Sequence, residues 1–245
     1  MEYNEIRKKR FDQVWDLIKG KGLIKQIYPE EAKMRYSLPL KNGQGQYIFK
    51  LNRNGAADNL TTFAITENDV FVPSGISVMI GLTGADGVQH LFPYAPKAPV
   101  TGGVADPSVY AYGFESDTIE ALWNGNLTFK QDTNIVLNQF PMERFKVVPR
   151  QQGAFVLDSN DTAVQEGIQP EWDIDKYLKL FMARYAIAGN RDNFMTVNFD
   201  AATKSFPVTT GYTAELVLIM DGFLVKGGAQ TYNGVCAFDD APARF

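Results

Sequence analysis

The feature that most limits what this chain can fold into is its punctuation. Short runs of β-branched and aromatic residues alternate with turn dipeptides: Gln46–Leu51, Thr61–Thr66, Asp69–Pro73 and Ile76–Leu82, set apart by Asn42-Gly43, Asn54-Gly55 and Asp86-Gly87. Such runs favour a pleated, half-buried backbone, and Asn-Gly or Asp-Gly supplies the positive φ that tight hairpins need. The spacing predicts antiparallel β structure. A hairpin is expected at Thr118–Trp123, Asn124-Gly125 and Asn126–Lys130, because Ile119, Ala121 and Trp123 alternate with polar residues on the way in and Leu127 and Phe129 on the way back. A further strand pair, Asn134–Leu137 with Arg144–Val148, closes this block at Pro149.

Beyond residue 150 the pattern changes and then returns. Arg150–Gln169 is polar and turn-rich, which suggests a seam. A helix near 170–185 is expected next, opened by Pro170 and carrying Ile174, Tyr177, Leu178, Phe181 and Tyr185 as an apolar stripe. Strands resume at Phe194–Phe199, Ala214–Met220 and Phe223–Val225. Asp221-Gly222 between the last two reads as a glycine bulge inside one long buried strand, because the flanking residues are continuously apolar. The expected fold is therefore all-β, with two antiparallel β-sandwich blocks: residues 29–150 and a smaller 151–245.

Residues 1–28 differ in kind. Ile6, Phe11, Val14, Trp15 and Ile18 recur at helical spacing until Gly20 and Gly22 stop the pattern. Residues 1–26 hold seven basic groups against four acidic ones, about +3, which leaves −7 of the net −4 charge on the remainder. An amphipathic, basic helix on an acidic body suggests a surface that meets something anionic, through Arg7, Lys8, Lys9 and Arg10. Packing on the chain's own body or on a neighbour is the other use for such a helix. No run of 18 apolar residues occurs, and the first residues lack a secretory signal's charged start and apolar stretch, so folding is expected in the compartment of synthesis.

Catalytic constellations are missing from the sequence. One histidine, His90, and one cysteine, Cys236, exclude multi-histidine and cysteine-based zinc sites within one chain, and also a disulfide. His90 lies in an apolar strand-like run, where a packed histidine is expected. Phosphate loops, dinucleotide fingerprints and nucleophile elbows do not occur. The carboxylate pairs Glu115/Asp117, Asp158/Asp161, Asp173/Asp175 and Asp239/Asp240 are close in sequence and mostly sit at turns or a helix start, where Asp caps backbone amides. A loop calcium site at Asp158, Asn160 and Asp161 fits no strong motif, and Trp123 with Trp172 as a sugar platform competes with core or interface roles. The expectation is a protein without catalytic activity, cofactor or metal.

Several stretches together resemble phage structural proteins: Phe63–Leu82 with Asp69-Val70-Phe71-Val72-Pro73, the Ala121–Leu127 hairpin, and Phe145–Gln152 ending in Val148-Pro149-Arg150-Gln151-Gln152. The layout is similar to the jelly-roll major capsid proteins of tailless icosahedral phages with an internal membrane, above all the double jelly-roll lineage. That resemblance implies a virion shell protein, made in the host cytoplasm, that assembles with itself as a trimer and with other capsid proteins. Its basic N-terminal helix would turn inward toward membrane lipid or genome. Phe11, Trp15, Tyr94 and Trp123 are the candidate subunit contacts, Tyr94 from a proline-rich loop (93–107) long enough to wrap a neighbour. Residues 150–245 leave only about 95 positions for a second roll, so either that roll is minimal or the chain is one large roll with insertions. The alternative function is a carbohydrate- or receptor-binding β-sandwich of a fibre or spike.

Overall fold

The computed structural model describes residues 29–52, 60–61, 65–96, 112–147, 179–180, 186–200 and 205–230, together with Glu5, Lys8, Lys9, Phe11 and Asp12. The described strands are β1 (Pro29–Pro39), β2 (Gln46–Lys50), β3 (Leu60–Thr61), β4 (Val70–Thr83), β5 (Gln89–Phe92), β6 (Asn126–Gln131), β7 (Asn134–Pro141), β8 (Lys179–Leu180), β9 (Ile187–Ala188), β10 (Asn193–Asn198) and β11 (Thr213–Val225). They form two antiparallel sheets. The first has the order β3-β1-β11-β4-β5, with β8 and β9 also paired to β4; the second has the order β2-β10-β6-β7.

Both sheets draw strands from both sides of residue 150. β11 joins β1 and β4, and β10 lies between β2 and β6. One apolar cluster fills the space between them, including Met34 and Tyr36 of β1, Phe49 of β2, Val78 and Ile80 of β4, Phe129 of β6, Met195 of β10 and Leu218 of β11. The described strands thus make one sandwich, and the expected division at residue 150 does not separate its sheets. Pairing is nested: β1 meets β11, β2 meets β10, β4 meets β8 and β9, and β6 meets β7. Among the described residues, strands far apart in sequence pair edge to edge, β1 with β11 and β2 with β10, so strands after residue 150 complete sheets begun before it.

The long strands carry the most informative irregularity. The two runs expected around Pro73 are one strand, β4, and β11 is continuous through Asp221-Gly222 as its apolar sequence suggested. Their register shifts there: Asp221 faces Gly75 and Gly222 faces Pro73, so Ser74 is the extra residue of a β-bulge. Pro73, which has no N–H to donate, is tolerated in an interior strand at such a point. The bulge also resets the alternation of β4. Phe71 before it and Ile76, Val78, Ile80 and Leu82 after it all join the inner cluster. Gly222 is required by close approach, since a Cβ there would stand 2.2 Å from the Val72 carbonyl oxygen.

Three expected elements are corrected. Asp117–Asn124 is a 3₁₀ helix, not the first arm of a hairpin. Ile119, Leu122 and Trp123 are its buried residues, a three- and four-residue spacing that the Ile119-Ala121-Trp123 alternation concealed. Ser116 caps it, accepting from the Thr118 N–H at 3.1 Å. The true hairpin is β6–β7, turning at Asp132 with φ 51°. The Asp132 carboxylate accepts from the Asp192 N–H (2.9 Å) and from Arg191 (3.0 Å), which fits the tolerance of Asp for that conformation. Arg144 and Phe145, expected to open a strand running to Val148, instead end a 3₁₀ turn, Met142–Phe145, in which Met142 and Phe145 are buried. Lys179 and Leu180, expected within a helix near 170–185, are extended as β8 against Ile76 and Gly75. The rest of that helix, and the polar stretch before it, lie outside the described residues.

Candidate functional surfaces

The basic stretch is described in part. Glu5, Lys8, Lys9, Phe11 and Asp12 have helical backbone and are exposed; Arg7, Arg10 and Trp15 lie outside the described residues. Phe11, 36% exposed, places its ring 5.4 Å from that of Phe223, which is buried. Phe223 belongs to β11 and is flanked by Glu31 of β1 and Val72 of β4. The N-terminal segment therefore touches the first sheet, with Lys8 and Lys9 at the surface.

That contact belongs to a larger pattern on the first sheet. On β11, Leu216, Leu218, Met220 and Leu224 face the interior cluster, while Val217 and Ile219 join Met79 of β4 in a second cluster with Leu91 packed against it. Val70, Val72 and Val225 form a third cluster with Ala186, Ala188 and Ala229. The two central strands are thus buried on both faces. In contrast, β2, β6 and β10 alternate buried with exposed or half-buried positions, so the second sheet keeps an outer face open to water. Ile48 and Ile135 stand out there at 44% and 60% exposure. Single exposed apolar residues are common on soluble surfaces.

The other candidate contacts part company. Tyr94 is half-buried against the core, its ring edge-on to Phe92 at 5.9 Å. Trp123 is only 3% exposed and sits in the core of its own sandwich, which removes it from the surface. The helical placement of Ile119, Leu122 and Trp123 is the cause. His90 lies in β5 as expected, half-buried, with its ring 4.8 Å from Tyr112; Tyr112 in turn stacks on Tyr212 at 4.8 Å. Together with Phe92 and Tyr94 these rings make an aromatic plug beside the β4–β5 turn, which sequence inspection missed because its members are up to 122 residues apart.

Polar clusters near the β9–β10 turn are structural in form. Asn193, buried at the start of β10, donates to the Ala188 carbonyl (2.8 Å), the Arg191 carbonyl (2.8 Å) and the Asn52 side chain (3.1 Å), and accepts from Gln131 (2.9 Å). Asn52 also donates to the carbonyls of Gly189 and Arg191. Amides so saturated hold loops together and leave little capacity for a ligand. Asp69 is used in the same way, by Thr66 and the Gly227 N–H. Of the carboxylate pairs, Glu115 and Asp117 are exposed, with Asp117 in the first turn of the 3₁₀ helix; the other three pairs, Trp172 and Cys236 lie outside the described residues. Among the described residues no group of three or more His, Cys, Asp or Glu could hold a metal ion, and no helix is long and apolar enough to cross a membrane.

Compared with known protein families, curated proteins and solved structures, the chain finds no match.

Proposed function

We propose that this chain is a shell subunit, a single jelly roll that assembles with copies of itself into an icosahedral virus capsid. The nested strand order carries the proposal. Setting aside the short edge strands β3 and β5, taking β8 and β9 as two pieces of one strand along β4, and renumbering the remaining strands 1 to 8 in chain order (β1, β2, β4, β6, β7, β8/β9, β10, β11), the sheets are ordered 1-8-3-6 and 2-7-4-5. Such an order is a long hairpin rolled up on itself, with the first strand beside the last in one sheet and the second beside the seventh in the other. Jelly rolls of this type serve as capsid and lectin domains.

Two further observations favour the capsid over the sugar-binding alternative. The helical N-terminal residues rest on the doubly buried sheet through Phe11 and expose Lys8 and Lys9, an arrangement suited to an anionic inner partner such as lipid headgroups or genome. The carbohydrate-binding reading loses Trp123 as its stacking platform, because that indole is in the core. Trimers and accompanying capsid proteins belong to the same proposal.

The test is assembly. Purified protein is expected to form oligomers and closed particles in negative stain. Deletion of residues 1–22 is expected to leave a cooperative urea unfolding transition in place while sharply lowering the yield of particles. A monodisperse monomer at high concentration, indifferent to that deletion, would overturn the proposal.

A further inference from the structure

Asn-Gly occurs four times in the chain, at 42–43, 54–55, 124–125 and 233–234. Two of these pairs lie among the described residues, and their surroundings are opposite. Asn-Gly is the dipeptide most prone to self-modification, because glycine offers no side chain to screen its own backbone nitrogen from the asparagine amide. Asparagine is accordingly counted among thermolabile residues.

Asn42 and Gly43 form the exposed turn between β1 and β2, and Gly43 holds φ at 74°. The Asn42 side-chain oxygen accepts a hydrogen bond from the Phe206 backbone N–H at 2.8 Å. A donor on that oxygen draws electron density from Cγ and stabilises the negative charge the oxygen takes on when Cγ is attacked, the physics of an oxyanion hole. Asn124 and Gly125 are held very differently. The Gly125 N–H donates to the Leu122 carbonyl at 3.0 Å, ending the 3₁₀ helix. A Cβ on Gly125 would stand 2.3 Å from the Asn198 carbonyl oxygen and 2.8 Å from Phe199 Cβ, so the backbone there has no room to reorient. A nitrogen that keeps its proton in a hydrogen bond, in a fixed backbone, is a poor nucleophile.

We infer that Asn42 is a site of spontaneous deamidation in the folded protein and that Asn124, with the same dipeptide, is protected. The deprotonated Gly43 nitrogen forms a bond to Asn42 Cγ, the Cγ–Nδ2 bond breaks, and ammonia leaves with the transferred proton. Water then opens the resulting five-membered imide at either carbonyl, giving aspartate or isoaspartate. Both products place a carboxylate where a neutral amide stood. Isoaspartate also lengthens the main chain by one methylene, at the turn that links the two sheets and that Asn42 ties to Phe206.

The experiment is peptide mapping by mass spectrometry after incubating the intact chain in mildly alkaline buffer, folded and in concentrated urea, with isoaspartate scored at each site. In urea the two sites are expected to convert at similar rates. In the folded protein Asn42 is expected to keep its urea rate while Asn124 slows at least about tenfold, a modest part of what fixing or freeing a reacting pair can change. Asn42→Ser is expected to abolish isoaspartate formation in the tryptic peptide that begins at position 42. Equal protection of both sites on folding, or faster conversion at Asn124, would overturn the inference.

Discussion

The two sheets of the sandwich meet water in different ways. In the first, β4 and β11 are buried on both faces, and their sequences, Val70–Thr83 and Thr213–Val225, are almost unbroken apolar runs. In the second, β2 and β10 alternate, with Tyr47, Phe49, Met195 and Val197 inward and Ile48, Phe194 and Thr196 outward. A strand buried on one face must alternate, whereas a strand covered on both has no polar side to show. The difference places structural weight on the first sheet and leaves the second sheet's outer face available for other uses. It also separates substitutions that damage folding from those that do not.

The sharpest way to break the comparison is at the bulge. Gly222→Ala puts a methyl carbon against the Val72 carbonyl, a backbone atom that cannot swing aside, within strands already covered on both faces. The expected loss is about 3 kcal/mol or more, at the upper end of overpacking penalties. Urea denaturation reads it directly. A loss below about 1 kcal/mol would mean that the β4–β11 pair has slack at Ser74, and that the doubly buried sheet is less tightly held than its burial implies.

A matched pair sharpens the comparison next. Ile219 and Ile48 are the same residue on the outward sides of the two sheets, one 2% exposed and the other 44%. Ile219→Ala is expected to cost about 2–5 kcal/mol, and Ile48→Ala to stay within about 0.5 kcal/mol. Comparable losses at both would show that the second sheet's outer face is covered too.

The same contrast explains what the sequence made legible. Alternation located β2 and β10 to within a residue, and the continuous run through Asp221-Gly222 announced one long strand, whereas the bulge expected within it has its extra residue across the ladder, at Ser74 of β4. Continuous runs say nothing about partners, so the sheet order was invisible: β11 lies between β1 and β4, strands 130 residues or more earlier. That is why two blocks were expected, whereas the described strands pair across residue 150. At Asp117–Asn124 a period-two pattern and a helical one coexisted in the same residues. Burial of Leu122 decided for the helix, and with it Trp123 passed from candidate contact to core. Of the candidate surface residues, the exposure of Lys8 and Lys9 followed from charge, while the seat of Phe11 on Phe223 depended on a strand pairing that no local pattern encodes.

A smaller loss than at either buried site is expected from a bond that joins the two sheets. Tyr36 of β1 is fully buried, and its hydroxyl donates to the Leu51 carbonyl just beyond β2 at 2.9 Å. Tyr36→Phe leaves that carbonyl without this partner and is expected to cost about 1 kcal/mol near neutral pH. Burial pushes the Tyr36 hydroxyl well above the ordinary tyrosine range, so the folded state keeps its proton where the unfolded chain has lost it. Above about pH 10, the unfolded value, the folded state therefore binds more protons, and stability falls as pH rises toward the folded value. The phenylalanine variant lacks that titration. Tyr47, also raised by burial, titrates in the same direction in both proteins and cancels from their difference. The gap between wild type and variant, read as urea midpoints, should thus be largest below pH 10 and narrow or reverse as pH climbs beyond it. A gap that stays constant would mean that Tyr36 ionises as freely folded as unfolded, and that the two sheets part at this joint far more easily than its burial allows.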